Sequence, residues 1–329
     1  MLLDAALAEL LKPYQLEGIQ FMYNSVVGSV DELQKRKDDK EEGEKVGGGG
    51  GCILAHAMGL GKTLQVYALL HALLTSPFTS KHFKQILIIV PYNVVENWAQ
   101  EFEKWNSRAD RPFPARLFEM RLEAKMGGGR ARMLQKWQSK GGVLLLSGPL
   151  FASIITGLGK MKRKGNKEDF LTFSESLLSP GPQLVVVDEG HLMKNQNGQM
   201  ARALGQISTP SRILLTGTPL QNNLAEYFTM VDYVRPQLLG VSRRAFVRRF
   251  QRPIERGQTK DCGPKEVTKM RRLTKALIKL LKGTVHRKDQ AVLAEYLPPK
   301  AEFVLTLSLT EVQVELYKVS VLIRKMISF

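Results

Sequence analysis

Five short apolar runs constrain this chain more than any other feature: Cys52–Ala55, Ile86–Val90, Val143–Ser147, Leu184–Asp188 and Ile213–Thr216. Each is four or five residues long, β-branched or leucine-rich, and nearly continuous rather than alternating. A strand wetted on one side alternates polar with apolar residues. A continuous run needs apolar cover on both faces, and a parallel sheet flanked by helices supplies it. Helical patterns fill the gaps. Leu64–Leu74 is apolar almost all round. Asn93–Trp105 opens with Asn93 and Glu96 at capping-box spacing and sets Val94, Trp98, Phe102 and Trp105 on one face. Strand and helix in alternation predict an α/β, doubly wound domain. Beyond about Pro236 the strand signal fades, and a basic, mostly helical segment runs to Leu297.

The charge is unevenly placed. Between Gly240 and Gln290 stand 16 lysines and arginines against four acids, so this segment holds +12 of the chain's net +17. Such a surface suits a polyanion bound with release of counterions, and an ordinary solvated helical face is the competing reading. Only Phe246 and Phe250 are aromatic there, so duplex backbone contact fits better than base stacking on a single strand. The mixed-charge stretch Asp31–Lys45, running into Gly47–Gly51, predicts a flexible insertion, and Lys160–Lys167 a second, basic loop. Two cysteines, Cys52 and Cys262, make no disulfide framework and point to reduced thiols. The first residues carry Asp4 and Glu9 and no basic leader pattern, which excludes a secretory signal reading. The longest uncharged stretch, Gly141–Gly159, is broken by glycines and Pro149 and is a poor membrane span. No membrane partner is expected.

Chemistry enters where the first run ends. Cys52–Ala55 leads directly into His56-Ala57-Met58-Gly59-Leu60-Gly61-Lys62-Thr63 and then a helix. A tight strand-to-helix turn of this kind turns backbone N–H groups toward a phosphate at the helix N-terminus. Lys62 would reach the β- and γ-phosphates of ATP, and Thr63 would hold Mg²⁺. The fourth run ends in Asp188-Glu189-Gly190-His191. Carboxylates at the C-terminal end of a buried strand lie where open α/β sheets bind ligands. Asp188 is a candidate for Mg²⁺ and Glu189 for general base toward water. His191 has no second histidine at helical spacing, which disfavours a histidine metal site. The fifth run ends in Thr216-Gly217-Thr218, whose hydroxyls could sense the γ-phosphate, before a helix with Leu220, Leu224, Tyr227, Phe228 and Val231 on one face.

HAMGLGKT, DEGH and LLTGTPLQNN, in that order, resemble motifs I, II and III of the superfamily-two helicase-like ATPases, and more narrowly the SWI/SNF-type remodelling ATPases. LKPYQLEGIQFM resembles the family's Q-motif, which implies that Gln15 hydrogen-bonds adenine. VPYNVVENWAQEFEKW is similar to motif Ia, which lies along one DNA strand. LLSGPLF stands where the family usually has a Thr/Gly-Tyr motif. His56, Gly190 and LLGVSRRAFVRRFQRPIERGQ point to the ATRX-like branch, whose members are DNA translocases acting on chromatin.

The resemblance implies a RecA-like P-loop NTPase lobe with a parallel sheet, plus a helical protrusion. It partitions the chain into a Q-motif entry at 1–30, the insertion at 31–51, the lobe at 52–235, the basic protrusion and closing segment at 236–300, and a strand and helix at 301–329. The implied partners are duplex DNA and chromatin or histone-associated factors in the nucleus, with Arg243, Arg244, Arg248 and Arg249 as DNA contacts and His191, Thr216, Gly217 and Thr218 as coupling residues. Two other readings remain: a strand-separating helicase, and a non-hydrolysing DNA- or partner-binding half-domain. The family's ATP site is completed by paired arginines from a second lobe. None follows within these 329 residues, so the chain alone is expected to bind nucleotide weakly and hydrolyse it slowly.

Overall fold

Seven strands, all parallel, form one sheet in the order β3-β4-β2-β5-β6-β1-β7. The computed structural model describes the chain apart from residues 39–49, 122–127, 164–166, 191–197, 218–223, 260, 295, 299–300 and 328–329. Five strands are the five apolar runs: β1 (Cys52–His56), β2 (Gln85–Val90), β4 (Gly142–Ser147), β5 (Leu184–Val187) and β6 (Arg212–Thr216). The other two are edge strands, β3 (Leu117–Met120) and β7 (Val285–Lys288).

Alternate residues of the central strands enter two separate cores. Cys52, Leu54, Ile86, Ile88, Leu145, Val186 and Leu215 face one layer. It is covered by α1 (Ala5–Leu10), α2 (Pro13–Asp38), α3 (Lys62–Thr75) and α4 (Val95–Asn106). Ile53, Leu87, Ile89, Leu144, Val187 and Leu214 face the other. That layer is covered by α5 (Gly128–Lys140), α6 (Gly148–Arg163), α7 (Lys167–Leu177), α8 (Gln199–Leu204) and α9 (Leu224–Val234). Burial on both faces is why these strands read as continuous apolar runs rather than alternating ones.

The basic segment joins the second core. It consists of α10 (Arg243–Phe246), a π-turn over Val247–Gln251, α11 (Arg252–Arg256) and α12 (Pro264–Leu281). Phe246, Phe250, Ile254, Leu277 and Leu281 are buried in the same cluster as α9, with the Phe246 ring tilted against Phe228 at 5.1 Å and stacked on Phe250 at 5.3 Å. Within the expected 236–300 segment, these helices share the lobe's core, and Val285–Lys288 forms β7, paired with β1 from Ile53↔Val285 to His56↔Lys288.

Smaller expectations also change. Helix α2 continues to Asp38, past the predicted start of the insertion at Asp31, and α6 runs to Arg163 through part of the predicted loop at 160–167. The Asn93–Glu96 capping box does not form: a 3₁₀ turn covers Tyr92–Val94, α4 begins at Val95 without a side-chain cap, and Glu96 pairs instead with Arg121 at 2.7 Å. Helix α9 buries Tyr227, Phe228 and Val231 as expected, while Leu220 lies outside the described residues. Residues Met1–Val292 form one unit and Leu293–Phe329 another. In the latter, 301–310 has no regular structure where a strand was expected, and α13 spans Glu311–Ile327. No helix among the described residues is long and apolar enough to cross a membrane.

Candidate nucleotide site

The turn between β1 and α3 is shaped by two glycines in the left-handed region, Gly59 at φ 84° and Gly61 at φ 71°. Gly61 is the N-cap of α3, so the helix's first N–H groups open onto the turn. A side chain at Gly61 would also collide with the Gln15 amide, 2.5 Å from an added Cβ. Lys62 follows at once. Its ammonium donates to the carbonyls of His56 at 3.1 Å and Ala57 at 3.4 Å. Burial lowers its pKa, and the charges of Asp188 and Glu189 oppose that shift. These residues are thus close enough to feel one another across the sheet. Gly217, at the end of β6, lies against the same amine: an added Cβ would stand 3.0 Å from Met58 Cγ and 3.3 Å from Lys62 Nζ.

Asp188 leaves β5 with its carboxylate held at both oxygens. The Trp98 indole donates to Oδ2 at 3.0 Å, and the Glu189 backbone N–H to Oδ1 at 2.8 Å. Burial and the neighbouring Glu189 charge raise the Asp188 pKa against these two bonds. Glu189 sits at φ 55°, a conformation that costs a non-glycine residue roughly 1–2 kcal/mol. Gly190 packs so closely that a Cβ would meet Leu214 Cδ2 at 2.9 Å and Met230 Sδ at 3.1 Å. That close approach requires glycine in DEGH. His191 and Thr218 lie outside the described residues; Thr216 is buried at the C-terminal end of β6.

Gln15 is buried, accepting from the Lys12 N–H at 2.9 Å and donating to the Leu60 carbonyl at 3.1 Å. It holds the β1–α3 turn directly. His56, the first residue of the expected nucleotide turn, has its ring fully buried and turned to Gln65 and His286, while its carbonyl accepts from Lys62. The proton positions follow from the partners. Gln65 Nε2 lies 3.1 Å from the Leu60 carbonyl, so the amide NH₂ points there and donates also to His56 Nδ1 at 3.2 Å. His56 Nε2–H then donates to His286 Nδ1 at 2.9 Å, and His286 Nε2 turns toward Glu17 Oε2, 3.8 Å away. Lys288 anchors that carboxylate at 2.6 Å. Burial, then the nearby positive groups, push the His56 pKa down to about 3, and His286 is lowered by burial and by Lys288. Both histidines are neutral at pH 7.

Trp98, Gln65, His286 and Glu17 escaped sequence reasoning as site residues. The Trp98 ring lies on the apolar face that the helical spacing implies, and only its N–H reaches the site. The donors that could serve Mg²⁺ are Thr63, next to Lys62 at the start of α3, and Asp188, just past β5, whose charge acts on Lys62. The hydroxyl and carboxylate oxygens present are hard ligands suited to that ion.

On the basic segment, an open concavity of about 720 Å³ is lined by Ser242, Arg243, Arg244, Arg248 and Arg252 among others. Arg249 instead stacks over the Phe250 ring at 5.6 Å.

The profile of the SNF2-related domain matches residues 14–329. The chain is 39% identical over 308 residues to the human transcriptional regulator ATRX, covering 94% of itself and 12% of that protein. It is 40% identical over 323 residues to an ATRX homolog of Caenorhabditis elegans, covering 95% of itself and 23% of that protein. Human helicase ARIP4 is 37% identical over 342 residues, with 94% and 22% covered. The chain thus spans less than a quarter of these relatives. Among solved structures, the Sulfolobus solfataricus SWI2/SNF2 ATPase core in complex with dsDNA superposes with a TM-score of 0.55 at 20% identity, over 85% of this chain and 44% of that one. The same organism's SWI2/SNF2 ATPase core domain gives 0.54 at 22%, over 94% and 50%.

Proposed function

Because the chain belongs to the SNF2-related domain family, on its ATRX-like branch, we propose that it is the ATP-binding first lobe of a DNA-dependent ATPase that translocates on duplex DNA in nuclear chromatin. The observation that carries this reading is Lys62, seated between the turn of β1–α3 and the charges of Asp188 and Glu189. When phosphates enter the turn, the α3 N–H groups and the Lys62 ammonium bind them, and Lys62 exchanges the carbonyls of His56 and Ala57 for phosphate oxygens. Gln15 holds the turn from behind and can reach adenine at its edge. Mg²⁺ bound by Thr63 and Asp188 would supply charge neutralisation on the β- and γ-phosphates. Glu189 takes a proton from the attacking water, beside Asp188, whose two oxygens accept from Trp98 and a backbone N–H.

The chain reads as one partner of a two-lobe site, with duplex DNA crossing the C-terminal ends of the strands and the arginines beyond them. The names of the relatives and the DNA in the Sulfolobus complex support the substrate class. In the 329-residue chain, Lys62→Ala is expected to abolish binding of a fluorescent ADP analogue with Mg²⁺. Binding at wild-type affinity would overturn the assignment. In a protein that includes a second lobe, Glu189→Gln should retain ATP and lose at least about 100-fold in turnover.

A further inference from the structure

The helix carrying the basic concavity is interrupted by a π-turn at Val247–Gln251. In an α-helix, residues four apart drift steadily around the axis, because a turn takes only 3.6 residues. A π-turn takes more residues, so it reverses that drift. Two rows of residues four apart are thereby kept straight on opposite sides. Phe246, Phe250 and Ile254 form the buried row that enters the core. Arg244, Arg248 and Arg252 form the other, lining the concavity with Arg243 and Ser242 on its flank. None of these four arginines pairs with a carboxylate among the described residues, whereas Arg256, just beyond, holds Glu266 at 3.0 Å. Arg243 Nε is buried and makes no hydrogen bond. Cations crowded this way repel one another, and an anion relieves that repulsion.

We propose that Arg244, Arg248 and Arg252, with Arg243 at the side, form one phosphate-binding row that takes successive phosphates of a DNA strand, and that the π-turn is what builds it. The proposal rests on the duplex DNA reading above. It assigns Arg252, which the sequence did not single out, and releases Arg249, whose guanidinium covers an aromatic ring. Successive arginines rise about 6 Å along the helix axis, so the row addresses a line of phosphates rather than a single ion. Nothing in it reads base edges, and its contribution is independent of sequence.

The test compares duplex affinity against salt for three versions of the 329-residue chain: wild type, R244Q/R248Q/R252Q, and R271Q/R272Q/K275Q. The second triple removes the same charge from exposed positions of α12. Three lost phosphate contacts should reduce the slope of log affinity against log salt by about 2 to 3 in the row variant, and by less than 1 in the α12 variant. Equal slopes for the two triples would overturn the row and leave general charge as the cause. An unchanged row variant that loses binding to an acidic peptide would overturn it in favour of a protein partner. If the wild-type chain shows no salt-dependent duplex binding, the DNA reading falls and the row with it.

Discussion

Trp98 is at once a core residue and a ligand to the site. Its ring is buried in the layer under α3, and its N–H is the donor to Asp188 Oδ2. Trp98→Phe keeps most of the apolar volume and removes that donor alone. Asp188, already pushed up by burial and Glu189, would then lose one of the bonds that favour its ionised form. The Mg²⁺ concentration needed for half-maximal nucleotide binding should rise about 10-fold or more, with little change in thermal stability. Equal Mg²⁺ requirement in the two proteins would show that the indole bond does not set the carboxylate. Glu189 makes a related point at the same scale: its left-handed non-glycine backbone places strain directly beside the held Asp188 carboxylate.

Between α2, α3 and β1 the packing leaves no slack. A Cβ on Gly18 would stand 2.3 Å from Gln65 Oε1 and 2.9 Å from His56 Cε1. Gly18→Ala therefore must displace the Gln65–His56 pair, which holds the Leu60 carbonyl. Overpacking of this kind costs roughly 1–3 kcal/mol, and nucleotide affinity should fall with it. A variant with unchanged melting and unchanged affinity would mean the pair is free to move. The central strands and the outlines of α3, α4 and α9 were legible in the sequence because burial on two faces leaves a strong composition signal. Edge strands leave a weaker one. In β3, Phe118 and Met120 are buried between half-buried neighbours, and β7 reads as Val-His-Arg-Lys, a charged tetrapeptide. Its place beside β1 is set by tertiary pairing, which no local pattern announces. The turn of Gly59 and Gly61 and the strand-end acids Asp188 and Glu189 were likewise legible, because each rests on a local spacing. The His56–His286 bond spans 230 residues and could only be seen folded.

For the molecule as a whole, the neutral histidine pair links stability to pH. His56 has a folded pKa of about 3 against an ordinary 6.5. The unfolded chain therefore binds the proton that the folded one refuses, and stability rises with pH in this window. The contribution is complete above pH 6.5 and is lost as pH falls toward 3, at up to about 1.4 kcal/mol per pH unit. His286, shifted the same way, adds to the slope. The unfolding midpoint of the chain should drop measurably between pH 6.5 and 5, above the range of ordinary carboxylates, and His56→Asn should flatten that slope. A flat wild-type profile would mean that a proton is accommodated in the fold.

The sheet order carries a consequence for synthesis. β1, which leads into the glycine turn before α3, lies between β6 and β7, the strands that come last in sequence. As the chain leaves the ribosome, β1 emerges first among the strands, yet neither of its edges can be covered until residues 212–216 and then 285–288 follow. Its apolar neighbours must wait through most of translation with an open ladder, a long-range pairing of the kind that folds slowly and invites association with other chains. The β1–α3 turn is made early and is among the last parts of the lobe to be locked, so nascent chains cut short before residue 285 should need chaperone protection that chains carrying β7 do not.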